Sequence, residues 1–169
     1  MGILLKIARA IALRMRTSKV PTGFTSLSKV HTAVVFVDAD EPGAEQLVSD
    51  VSAYFSAKKI RAEIFALTSD RHRPEIKGAH LMGPRNVSLV GRPRHNKNTP
   101  IVELNEDLFL NLVKEGSFTA EYCAARSIAI FKIGRASGTK GIYNLFVSSE
   151  GHSATDVFTQ VTGVLNTVK

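Results

Sequence analysis

Two carboxylates, Asp38 and Asp40, follow directly after the apolar run Thr32–Val37 and are the residues best placed to do chemistry. The run is continuous rather than alternating, which is typical of a strand covered on both faces in a parallel sheet. Open α/β sheets bind ligands beyond the carboxyl ends of their strands, so acids at this point are well placed to contact a ligand. The pattern therefore makes Asp38 and Asp40 candidate catalytic residues of a small hydrolase or transferase.

The Asp-x-Asp pattern is similar to that of haloacid-dehalogenase phosphatases, which also place it after an apolar strand. The next residues here are Glu41 and Pro42, whereas the phosphatase pattern has a small residue and a threonine. A second interpretation is that Asp38 and Asp40 cap the following helix and favour its positive end. The sequence favours this capping interpretation.

A glycine-containing segment from Gly134 to Gly141 resembles a phosphate-binding loop. Its spacing differs, since three residues rather than the required four separate Gly134 from Gly138, and a strand rather than a helix follows. We interpret it as a strand–strand connection that carries Arg135 and Lys140. The dinucleotide pattern Gly-x-Gly-x-x-Gly is absent, and no cofactor is predicted.

The histidines and the single cysteine indicate no metal centre. None of the five histidines has ligand spacing, and a lone cysteine permits neither a cysteine-based metal cage nor an intrachain disulfide. Cys123 is expected to be a buried structural thiol. Cysteine usage favours a reducing, cytoplasmic compartment.

The formal charge is +7, and the excess of basic residues is concentrated in two segments. Residues 1–20 hold five basic residues and no acid, and residues 70–98 hold seven against two acids, so each segment carries +5 and the remainder −3. This placement predicts an anionic partner, with RNA or the ribosome preferred, while solvated surface charge is the alternative. The residues expected to contact the partner are Lys6, Arg9, Arg14, Arg16, Arg71, Arg73, Arg85, Arg92, Arg94, Lys97 and Arg135.

Residues 3–16 have helical periodicity, with Ile3, Leu4, Ile7, Ala8, Ile11 and Met15 on one stripe and Lys6, Arg9 and Arg16 opposite. We expect a helix that docks on the domain or on a partner. A mitochondrial presequence is compatible with the composition, whereas a secretory signal is not favoured, because Lys6 and Arg9 interrupt the apolar run. Attachment to an anionic membrane surface through this helix is a further alternative.

The remaining pattern predicts a three-layer, Rossmann-like α/β domain with a mostly parallel sheet of five or six strands. Residues 1–19 are expected to form the basic helical arm, 20–30 a linker and 31–169 the domain. Strands are predicted at 32–37, 62–67, 107–112, 129–133 and 142–147, with a short one at 87–90. Helices are predicted at about 43–58, 118–128 and 153–168, the last capped by Ser153.

From about Val30 onward the order of motifs resembles a family of unknown function from Bacteroidota bacteria. The resemblance is carried by Val34–Asp38, Asp107–Leu112, Tyr122–Ala125, Phe131–Arg135 and Tyr143–Val147. It implies a small cytoplasmic α/β protein without an established activity, so it supplies no catalytic residue. That family tends to carry Asp where this chain has Asn144, and a longer acidic stretch after Leu112.

A fainter similarity is to the N-terminal domain of heptosyltransferase-type glycosyltransferases, although the second, nucleotide-sugar-binding domain of those enzymes has no counterpart here. Because fold does not fix function, we weigh it as a prediction of fold only. The function predicted from the sequence is a non-enzymatic accessory or binding protein that contacts an anionic partner, and no oligomeric state is indicated.

Overall fold

A computed structural model describes residues 2–16, 18–94, 105–114, 116–135, 141–148 and 151–168. Its helices are α1 (Ile3–Arg16), α2 (Ala44–Ala57), α3 (Phe118–Arg126) and α4 (Ala154–Thr167), with a short 3₁₀ turn at Leu27–Lys29. Its strands are β1 (Thr32–Asp38), β2 (Arg61–Leu67), β3 (His80–Met82), β4 (Leu108–Asn111), β5 (Phe131–Gly134) and β6 (Leu145–Phe146).

The six strands form one sheet in the order β3-β2-β1-β4-β5-β6, and every pair is parallel. The predicted Rossmann-like α/β fold is thereby confirmed. Its central strand β1 pairs along its whole length with β2 and over Ala33–Phe36 with β4. The chain changes direction across the sheet between β1 and β4, which makes the carboxyl ends of these two strands the topological switch point.

Alternation along β1 divides the core into two layers, because successive side chains of a strand point to opposite faces. Ala33, Val35 and Val37 pack with α2 and α4 on one face. Val34 and Phe36 pack with α3 on the other, where the Phe36 ring lies 5.2 Å from Phe65 and 5.5 Å from Phe109. Both faces of β1 are therefore buried, which explains its unbroken apolar sequence.

Helix α1 docks on the outer side of α3. Ala12 is fully buried against Phe118 and Tyr122, and beyond the helix Ser18 N donates to the Ala125 carbonyl at 2.6 Å. The chain then passes the amino end of β5, where Gly23 N donates to Ile130 O at 2.8 Å.

The segment after β2 differs from the prediction. The edge strand is His80–Met82, whereas the residues 87–90 expected as a strand form only a single antiparallel bridge, from Val87 to Pro93. A tight turn prevents a longer pairing, since Gly91 N donates to Ser88 O at 2.8 Å and Gly91 adopts a φ of +93°. A side chain at Gly91 would meet Phe118 at 2.9 Å, so this turn needs glycine.

The other predicted elements are confirmed with small changes at their ends. The last strand is confined to Leu145–Phe146, and α3 ends at Arg126. Ser153 caps α4 as expected, and Asp156 completes the capping box from the third helical position.

Candidate functional sites: a carboxyl-edge cleft and a basic cluster

The carboxyl edge of the sheet contains a cleft of about 430 Å³ at the switch point. It is lined by residues at and just beyond the ends of β1, β2 and β3 and by residues of the β4–α3 connection. Asp38 and Asp40 line it together with Thr68 and Ser69, and so does Lys114. The structure thus brings both predicted carboxylates to the position where α/β sheets bind ligands.

The Asp40 carboxylate is bound by the loop that follows β2. Thr68 Oγ1 donates to its Oδ1 at 2.5 Å, while Ser69 N and Ser69 Oγ each donate to Oδ2 at 2.8 Å. Burial raises the pKa of Asp40, but these hydrogen bonds, helped by nearby Arg73, outweigh it and bring the pKa below its ordinary value. Asp40 therefore joins the β1 and β2 loops as an ionised acceptor.

The capping interpretation of the two acids is wrong. The residue at the N-cap of α2 is Gly43, with a φ of +83° and no side-chain capping bond. Asp40 turns to the neighbouring β2 loop instead, and Asp38 Oδ1 accepts the Asp40 amide at 2.9 Å. Both carboxylates therefore accept hydrogen bonds at the carboxyl edge of the sheet, and neither caps α2.

Of the two carboxyl groups, Asp38 accepts fewer hydrogen bonds and can therefore still bind a ligand. It is half-buried at the cleft wall, and burial raises its pKa above the ordinary value. The negative charges of Asp40 and Glu41 raise this pKa further, whereas the hydrogen bond from the Asp40 amide lowers it. A carboxyl of this kind can exchange a proton nearer neutral pH than an exposed aspartate can. In the described part of the chain no three His, Cys, Asp or Glu side chains are grouped to hold a metal ion.

Arg135 is buried, with a side chain only 1% exposed, and makes a bidentate ion pair with Glu41. Its Nη2 lies 2.8 Å from Glu41 Oε1, and Nη1 donates both to Glu41 Oε2 and, at 3.2 Å, to Leu112 O. Because Arg135 follows β5, these bonds link that segment to Glu41 after β1 and to Leu112 after β4. In this arrangement the guanidinium is not presented to an external phosphate, unlike the surface contact expected from the sequence.

The docking of α1 brings the two basic segments of the sequence together. Arg9 Nε donates to Val90 O at 3.1 Å, and the Arg9 guanidinium carbon lies 5.0 Å from the centre of the Phe118 ring. Arg92 and Arg126 each lie 5.9 Å from the centre of the Tyr122 ring. We refer to Arg9, Arg92 and Arg126, grouped around these two rings of α3, as the basic cluster.

The remaining predicted contact residues are distributed around this cluster or lie apart from it. Lys6 and Arg14 are exposed on α1, and Arg94, whose Nε donates to Val87 O at 2.9 Å, is exposed beside the Ser88–Gly91 turn. Arg73 is half-buried beside Asp40, and its charge helps to lower the pKa of that acid. Arg71 and Arg85 are exposed. The Arg16 side chain lies outside the described part of the chain. The same is true of Lys97 and of Lys140 in the Gly134–Gly141 connection.

Sequence reasoning did not identify Arg126, because it lies outside both basic segments. It also did not identify Lys132, which is 3% exposed within β5. Its Nζ donates to Ala124 O at 2.9 Å and Ser127 O at 2.7 Å, so the ammonium satisfies carbonyls at the end of α3. Burial lowers the pKa of Lys132, while nearby Glu106 opposes that shift.

Cys123 is buried, as expected, and burial raises the pKa of its thiol to about 12. A thiol with such a pKa remains protonated near neutral pH and is not a nucleophile. No helix in the described part of the chain combines the length and apolar character needed to cross a bilayer.

The chain belongs to a family of unknown function (DUF6913), whose model matches residues 5–167. Neither the curated proteins nor the solved structures give a significant match. The expected membership of a family without an assigned role is confirmed, and the match takes in most of α1. The likeness to glycosyltransferases and the bacterial phylum receive no support from these comparisons.

Proposed function

We propose that the protein is a non-enzymatic binding or accessory protein that contacts an anionic partner through the basic cluster and the exposed Lys6, Arg14 and Arg94. The observation that carries this proposal is the docking of α1 on α3, which places Arg9 beside the Ser88–Gly91 turn and Arg92. Basic residues from distant parts of the sequence thus contribute to one region of the surface. A grouped positive charge attracts phosphate-bearing surfaces and polymers more strongly than dispersed charge.

The packing of Arg92 and Arg126 supports a binding role for their charges. Both guanidinium groups lie against the uncharged Tyr122 ring, and neither forms a salt bridge within the described part of the chain. An aromatic ring holds a guanidinium in place without neutralising it. The contrast is Arg135, whose charge is matched by Glu41 in the interior.

The proposal is tested by co-sedimentation of the full chain with total RNA and with anionic lipid vesicles. The variant Arg92→Gln/Arg94→Gln should bind the preferred polyanion more weakly, and the log–log salt dependence should become shallower by roughly one unit for each phosphate-binding charge removed. The matched control is Lys29→Gln/Arg61→Gln, which removes the same charge at exposed positions near the amino ends of β1 and β2. Equal weakening by both variants, or no binding to either polyanion at low salt, contradicts the proposal.

A second candidate function, a small hydrolase or transferase, rests on Asp38. This half-buried carboxyl lines the cleft and has a raised pKa, whereas Asp40 is already bound by Thr68 and Ser69. If Asp38 and Asp40 support metal-assisted chemistry, Mg²⁺ titrated into the protein should give a binding signal that Asp38→Asn abolishes. Asp50→Asn, in α2, is the control. Absence of a Mg²⁺ signal in the unaltered protein counts against the metal-assisted reaction.

A further inference from the structure

We infer that the outward face of α1 attaches the protein to the surface of an anionic lipid bilayer. This inference rests on the proposed function and names the anionic partner that the exposed Lys6 and Arg14 of α1 contact. Four large aliphatic side chains of α1 face away from the domain: Ile3 is 76% exposed, Leu4 84%, Ile7 50% and Ile11 51%. Their spacing places them on one stripe of the helix.

The docking of α1 leaves this stripe uncovered. The helix packs on α3 through its opposite side, where Ala12 is buried and Leu13 lies against Phe118 and Tyr122. A helix at the surface of a globular protein normally turns its apolar side toward the core. Here that arrangement is reversed, and a contiguous aliphatic surface of this kind marks an interaction site.

Leu89 is a further exposed apolar side chain close to α1 and α3. It is 94% exposed within the Ser88–Gly91 turn. This turn is attached to both helices, because Arg9 Nε of α1 donates to Val90 O at 3.1 Å and Thr119 Oγ1 of α3 donates to Gly91 O at 2.8 Å. The leucine is therefore carried on a turn whose position is set by the docked helix.

The charges of α1 identify an anionic bilayer as the partner. Lys6 and Arg14 are exposed on the same helix as the stripe, and no acidic residue precedes Asp38 in the sequence. Aliphatic side chains that enter the headgroup boundary while Lys and Arg contact lipid phosphates are the two elements of interfacial helix binding. One short helix of this kind supports reversible attachment rather than permanent insertion.

The other occupants fit these observations less well. A second copy of the chain would bring two helices of the same positive charge against each other, which is unfavourable. RNA would use the basic residues but not the stripe, because unpaired bases stack on aromatic rings rather than on isoleucine and leucine.

The test measures sedimentation of the full chain with vesicles of phosphatidylcholine alone and with vesicles that also contain phosphatidylglycerol. The variant Ile7→Gln/Ile11→Gln should lower the affinity for anionic vesicles by about tenfold or more. The control Ile128→Gln/Ile130→Gln alters two isoleucines of similar exposure, 43% and 48%, that do not belong to α1, and should bind as the unaltered protein does. Lys6→Gln/Arg14→Gln should lose about fivefold per residue on anionic vesicles.

Circular dichroism of each variant verifies that α1 and the domain remain folded, and RNA binding is measured in parallel. Salt-sensitive RNA binding without vesicle binding overturns the membrane inference and leaves the proposed function standing. Vesicle binding that does not require phosphatidylglycerol overturns the inference, and when RNA is not bound either it also contradicts the proposed function. A dimer that Ile7→Gln/Ile11→Gln converts to a monomer in sedimentation velocity, without vesicle binding, overturns it in favour of a second copy.

Discussion

Individual charged residues of this chain have different roles according to the partner that each one finds. Arg135 and Glu41 neutralise each other at the carboxyl edge of the sheet, and both are largely buried. Arg92 and Arg126 lie on an aromatic ring that leaves their charges in place. In the sequence these arginines are indistinguishable, because the difference depends on contacts between elements that are far apart in the chain.

The Arg135–Glu41 pair predicts a large cost when one partner is removed. Glu41→Ala leaves a buried guanidinium without its carboxylate, and we expect the free energy of unfolding to fall by about 3 kcal/mol. Urea unfolding measures the change. Glu45→Ala, at an exposed position in the first turn of α2, should cost less than about 1 kcal/mol.

The double variant Glu41→Met/Arg135→Met removes both charges together. It should be less destabilised than the sum of the single changes, since neither charge is left unpaired in the interior. Additive costs would show that the two side chains do not interact as the geometry indicates.

Asp40 predicts a pH-dependent contribution to stability. Its folded-state pKa lies below the ordinary value of 3.8, because the hydrogen bonds from Thr68 and Ser69 outweigh the effect of burial. The contribution is therefore present above the unfolded pKa and is lost as the pH falls through the folded one. Asp40→Ala should destabilise the protein by roughly 1 kcal/mol at pH 7, and this difference should diminish below about pH 4. Urea unfolding of both proteins at neutral and acid pH measures it, and a difference that stays constant with pH contradicts this role of Asp40.

At the scale of elements, the unbroken apolar run Thr32–Val37 predicted β1, because both faces of this strand are covered. The edge strand His80–Met82 could not be predicted in the same way, since it has three residues and His80 is exposed. Lys132 shows another limit. A strand was predicted at 129–133, but the bonds of Lys132 to the last carbonyls of α3 depend on how that helix packs on β5.

The docked position of α1 predicts different effects of the same substitution at neighbouring positions. Ala12 is fully buried against α3, whereas Ala10 is exposed. Ala12→Asp would place a charge in the α1–α3 contact, so we expect the amide protection of α1 to fall by about tenfold or more. Hydrogen exchange with mass spectrometry reports it, and Ala10→Asp, the matched control, should retain the protection of the unaltered helix. Equal loss in both variants would contradict the docking of α1 through Ala12.

For the whole molecule, the sequence predicted how much positive charge is present and in which segments, but not where it collects. The carboxyl-edge location of Asp38 and Asp40 followed from the strand pattern, because parallel strands end at a common edge. The basic cluster did not, since Arg92 and Arg126 meet at the Tyr122 ring and Arg9 joins them only when α1 lies on α3. The outward direction of the aliphatic stripe of α1 also depends on how α1 packs on α3, so the sequence did not predict it.

The salt dependence of polyanion binding by the full chain tests the central claim most directly. Binding to anionic vesicles is measured over a series of salt concentrations, with total RNA as the second polyanion. We predict measurable binding at low salt whose affinity falls steeply and steadily as salt increases, because Lys and Arg bind the phosphates. Binding that does not change with salt, or no binding to either polyanion at low salt, would contradict the proposed function.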